Sequence, residues 1–216
     1  MAFDITRFFT YERLTYAAPI IFFCGLQCAV VWALLPNQET RALLFWYCNN
    51  VAFFYAIAFY SGNVDFIRGI NLVGLLPQLL WVSDFLSHLV GFDLSRTADY
   101  VFVEGFTFPN DVSVLLHMTV PFIAIIYLYH IRPHPKALYY SALYIIGLYV
   151  ATLSGTNPID DMNCVFNACS QYQFAYHAYL WPLYMLVLAV GAYAVHEGLY
   201  RSLGKYRNQR LLRATP

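Results

Sequence analysis

Six stretches of roughly twenty mostly apolar residues recur along the chain, and they constrain its fold more than any other feature. They cover about 16–35 (YAAPIIFFCGLQCAVVWALL), 42–61 (ALLFWYCNNVAFFYAIAFYS), 70–91 (INLVGLLPQLLWVSDFLSHLVG), 112–130, 137–155 and 175–199. A helix of about 20 residues crosses the hydrocarbon core of a bilayer. Inside that core every backbone polar group must bond within its own segment, so the stretches predict helices. The expected fold is all-α: a polytopic integral membrane protein with six transmembrane helices. Composition agrees, at 60% hydrophobic and 11% charged residues, where soluble domains hold about 25% charged. So few polar groups cannot cover a water-facing surface.

The connections are short except 92–111 and 156–174, which predicts one domain over 1–216. A cytoplasmic or interfacial segment, 1–15, precedes the first helix, and a basic tail, 200–216, follows the last. The N-terminal MAFDITRFFTYERLTYAAP mixes charges with aromatics, unlike a cleaved signal peptide. Lys and Arg set the orientation. With both termini cytoplasmic, ten of the twelve Lys and Arg residues lie inside, and only Arg41 and Arg96 lie outside. A formal net charge of zero gives nucleic-acid binding no electrostatic support.

This topology gathers polar residues in the outer leaflet. Cys48 follows Arg41 closely and His117 follows Asp111, so each sits about 10 Å below the outer surface. His177 and Tyr176 open the sixth helix near that level, and the third helix carries Asp84 outward. Ionisable residues inside membrane helices are costly and point to function. An imidazole titrates near neutrality, so His117 is the candidate general base; the alternative is an interhelical hydrogen bond. A buried Cys is usually a small hydrophobe, but beside a base Cys48 becomes a candidate nucleophile. The amides of Asn49 and Asn50 are candidate oxyanion donors, or glue between helices. Asp84 could polarise a substrate hydroxyl or orient a histidine. His88 lies one turn on, and the alternative is that the two pair with each other at the helix end.

The loop SGTNPIDDMNCVFNACSQYQF carries Cys164 and Cys169, a candidate disulfide in an oxidising compartment. The loop reads as a lid over the outer site or as a solvated connector. Cys24 and Cys28 lie one turn apart at mid-membrane, where packing is the simpler role. His130 and His134 fall at the cytoplasmic interface. No metal-type CxxC pair occurs, and neither a metal nor another cofactor is expected.

The stretch LLHMTVPFIAIIYLYHIRPHPKALYYSALYIIGLYV, together with NPIDDMNC, resembles the six-helix membrane hydrolases and acyltransferases that use a helix-borne Thr or Cys with a His. That group includes the androgen-induced hydrolases of branched fatty-acid esters, a cysteine-dependent ether-phospholipid acyltransferase and bacterial relatives. The resemblance covers about residues 40–200. In the family a catalytic His opens a helix before such a Pro-containing run, which matches His117. The nucleophile of the cysteine branch lies early in a helix two before it, which matches Cys48. The resemblance implies acyl chemistry on a membrane lipid substrate, with Cys48 and His117 catalytic; the position of Asn49, Asn50, Asp84 and His177 in the outer leaflet makes them candidate substrate-binding or oxyanion residues. Two other readings stay open. One is a non-enzymatic accessory subunit whose partner is a larger membrane complex. The other is a thiol–disulfide oxidoreductase using Cys164 and Cys169 with Cys24 and Cys28, and a quinone or thioredoxin-like partner.

Overall fold

The structure is a computed structural model. It describes residues 11–33, 47–92, 94, 98–103, 108–130, 132–156, 165 and 176–214. Every regular element among them is a helix: α1 (Tyr11–Ala33), α2 (Tyr47–Ser61), α3 (Val64–Leu89), α4 (Asp99–Val103), α5 (Phe108–His130), α6 (Lys136–Gly155) and α7 (His177–Ala214). The all-α expectation holds for these residues.

Among the described residues, three helices are long and apolar enough to cross a membrane: α3, α6 and the first part of α7, His177–Ser202. Six such helices are expected from the sequence, and these residues support three of them. α2 has only 15 residues, about 22 Å of helix, short of the roughly 30 Å hydrocarbon core. The start of its predicted run falls within 34–46, outside the described residues. α1 and α5 have shorter apolar segments, Tyr16–Ala29 and Asn110–Ile125. Two boundaries also move. α3 starts at Val64 rather than 70, and α7 runs on through the basic tail.

α3 lies at the centre, packing on α2, α5, α6 and α7, while α1 covers α2 and α5. The turn from α2 to α3 is made by Gly62 at φ 63° and by Asn63, whose side chain accepts the Phe66 N–H at 3.0 Å and caps α3. α3 and α6 touch most closely at Gly69, where the Ser141 hydroxyl bonds to the Gly69 carbonyl at 2.9 Å. α7 shows the bilayer a row of exposed apolar residues, among them Leu183, Val187, Leu188 and Val195. Lipid tails solvate such a face and water does not.

Side-chain hydrogen bonds tie the inner helices. Pro77 has no N–H, so the Val73 carbonyl one turn earlier lacks its helical donor. The Tyr47 hydroxyl of α2 donates to that carbonyl. Nearby, Tyr55 donates to the Asn71 side chain, and Gln78 Nε2 donates to the Cys48 carbonyl at 2.8 Å. Away from water an unmatched carbonyl costs about 1–2 kcal/mol. Tyr47→Phe is therefore expected to destabilise the protein by about that amount in reversible detergent unfolding, with the helix content unchanged.

Candidate functional site

α2 begins at Tyr47, so Cys48 sits in its first turn, half-buried. Its backbone carbonyl is held by Gln78. Tyr144 of α6 lies within electrostatic range of the thiol and donates its hydroxyl to Asn50 Oδ1. With that oxygen engaged, only the NH₂ of Asn50 could serve an oxyanion. Asn49 is buried on another face of the helix. Tyr47 and Phe54 pack on the Tyr144 ring at 6.0 and 4.9 Å between centroids.

His117 lies on α5, 1% exposed. Its Nδ1 is 2.8 Å from the Ser113 carbonyl. A carbonyl only accepts, so Nδ1 carries the proton and Nε2 keeps its lone pair. Nε2 is buried and has no hydrogen-bond partner among the described residues. The indole of Trp81 covers the imidazole at 4.2 Å between ring centroids, tilted by 30°. The imidazole is thus fixed in one tautomer, with an unbonded basic nitrogen in apolar surroundings.

α3 links the two halves of the expected dyad. Gln78 holds Cys48 and Trp81 holds His117, and three residues of helix separate their levels by about 4.5 Å. α2 and α5 also pack directly on each other. No hydrogen bond joins the thiol to the imidazole: Nδ1 is engaged by Ser113 and Nε2 is unbonded.

Asp84 is fully buried. Its Oδ2 accepts the Ala98 N–H at 2.8 Å, which pins the chain before α4 to α3. His88 Nδ1 lies 3.2 Å from the Asp84 carbonyl and Nε2 lies 3.0 Å from Asp99 Oδ1. One ligand-type atom from each of Asp84, His88 and Asp99 falls within 4.8 Å of the others. Such a set has the donors to hold a divalent cation, but His88 is paired with Asp99 and Asp84 Oδ2 is engaged by the Ala98 N–H. Around it, Trp81 stacks on Phe85 and His88 on Phe102, at 5.4 and 4.7 Å between centroids. This arrangement makes Asp84 an anchor for α4.

His177 opens α7 after Tyr176, whose φ is 63°. Its ring faces Tyr184 of the same helix at 5.8 Å. Cys24 is buried and Cys28 exposed; both are unbridged. Cys164, Cys169 and the lid loop around them lie outside the described residues, as does the His130 side chain.

Sequence reasoning did not single out Ser113, Trp81, Gln78, Tyr144 or Asp99. Ser113 stands four residues before His117, the spacing at which a helical imidazole reaches a carbonyl. The others are joined to the site only by tertiary packing. Compared with known protein families, characterised proteins and solved structures, the chain matches none.

Proposed function

We propose that the chain is a six-span membrane protein, with both termini cytoplasmic, that acts on acyl esters of membrane lipids through Cys48 and His117. The observation supporting this reading is the His117 imidazole, held by Ser113 and Trp81 with Nε2 buried and unbonded among the described residues, on a helix that packs against the helix of Cys48. His117 Nε2 takes the Cys48 proton as the sulfur attacks the ester carbonyl. The tetrahedral intermediate collapses to a thioester, and the imidazolium returns the proton to the departing alcohol oxygen. Water, deprotonated by His117, then releases a fatty acid; a lysolipid hydroxyl in its place gives acyl transfer. Catalytic hydrogen bonds are often long in ligand-free structures, and here the thiol–imidazole contact forms as the substrate binds. Asn50 NH₂ could donate to the oxyanion, and the Tyr47–Phe54–Tyr144 rings offer walls for an acyl chain.

A long-chain activated ester tests the proposal. Purified wild-type protein should form a hydroxylamine-sensitive thioester that maps to Cys48. Cys48→Ala should form none, and His117→Ala should label at least about 100-fold more slowly. Equal labelling of the three proteins would sink the proposal.

A second reading, an accessory subunit of a membrane complex, is favoured by the bonds that tie α2 to α3 and α6. These use Tyr47, Tyr55, Gln78 and Tyr144 for packing. It predicts a stable co-purifying complex that keeps its activity when Cys48 is replaced by Ala.

A further inference from the structure

About 20 Å of helix separates Cys48 from Ser61 at the other end of α2. At that other end lies a cavity of about 440 Å³. Its walls are Arg68 of α3, Arg132 and His134 with two prolines of the α5–α6 link, and Tyr193 and Glu197 of α7. None of the residues of the Cys48–His117 site lines it.

The cations and anions here do not balance. The two carboxylates are each already matched. Asp65 bonds Arg68 at 2.5 Å and lies 3.6 Å from His134 Nδ1. Glu197 bonds Arg201 at 2.7 Å. Arg68 still holds a buried Nε with no acceptor. Arg132, on the cavity wall, has no hydrogen-bond or ion-pair partner among the described residues. Among the described residues, the Arg68 and Arg132 side chains thus meet at this hollow, and the carboxylate on its wall, Glu197, is already paired with Arg201. Pro133 and Pro135 flank His134 and restrict the backbone of the link, so the wall is set before any ligand arrives.

We propose that this cavity binds a phosphate-bearing anion, the headgroup of an anionic phospholipid, through Arg68 and Arg132. Guanidinium groups match phosphate oxygens in geometry as well as charge. In the orientation proposed above the cavity faces the cytoplasmic leaflet, where anionic lipids concentrate and basic pockets between helices receive their headgroups. A lipid seated there clamps α3, the α5–α6 link and α7 together. Its ester bonds lie at the wrong end of the bundle for Cys48, so it is a bound lipid and not the substrate. The inference stands whether or not Cys48 is catalytic.

The test is thermal unfolding of the full chain in non-ionic detergent, titrated separately with dioctanoyl phosphatidylglycerol, dioctanoyl phosphatidylcholine and inorganic phosphate. Phosphatidylglycerol should raise Tm saturably by about 5–10 °C, and the other two should have little effect at the same concentration. Arg132→Gln, at an exposed side chain, should weaken the phosphatidylglycerol response at least about ten-fold. Arg68→Gln should do the same if it folds. Glu197→Gln removes a negative charge from the wall and should tighten binding, which a merely structural role for these residues would not produce. A shift with inorganic phosphate equal to that with phosphatidylglycerol would place the anion site but assign it to a free anion. Equal shifts with the two lipids, or a phosphatidylglycerol shift unchanged in Arg132→Gln, would overturn the proposal.

Discussion

Gly69→Ala is expected to cost about 1–3 kcal/mol of stability, and Gly69→Leu to leave little folded protein. A Cβ at position 69 would lie 2.5 Å from the Tyr140 Cβ and 2.9 Å from the Ala137 carbonyl oxygen. Neither neighbour is the tip of a flexible chain, so α3 and α6 must separate to admit it. Separation would also stretch the bond from Ser141 to the Gly69 carbonyl. Gly147 provides the control. It lies on an exposed part of α6, where a Cβ meets nothing within 4 Å. Gly147→Ala should be neutral, or stabilising by up to about 1 kcal/mol. Reversible unfolding of both variants in mixed micelles checks the pair. Similar stabilities would show that α3 and α6 are not in contact at Gly69.

Trp81→Ala should cost about 3–5 kcal/mol, because it empties the space between α3 and α5. The indole is 5% exposed and contacts Phe85 on one side and His117 on the other. If the proposed function holds, the same change also slows acylation of Cys48 by about 100-fold. The imidazole would lose the surface that sets its tilt while keeping its bond to Ser113. Trp81 is thus a positioning residue, and Trp81→Phe, which keeps a ring there, should recover most of both losses. Labelling rates are to be compared at a temperature where all three proteins are folded. An unchanged rate in folded Trp81→Ala would remove the positioning role.

Apolar length showed in the sequence where the helices lie, since nothing else satisfies a backbone in lipid. It showed their limits less well. The apolar run around Cys48 begins near residue 42, while the described helix begins at Tyr47, because 34–46 lie outside the described residues. The tautomer of His117 needed only the i−4 relation to Ser113. Trp81 and Tyr144 could not be found that way, because helical periodicity does not say which neighbour a face meets. Asp84 shows the other limit. Its pairing with His88 was visible as a spacing, but its bond to the Ala98 N–H depends on how α4 folds back. That bond makes it an anchor.

The bond from Tyr47 to Val73 also bears on how the chain enters its membrane. Threaded into lipid alone, α3 would carry the unmatched carbonyl that Pro77 creates. The donor for it sits on α2, which leaves the ribosome first. The order of synthesis thus delivers the hydroxyl before the carbonyl that needs it. A circular permutant that synthesises α3 ahead of α2 would have to shelter that carbonyl by other means while it waits.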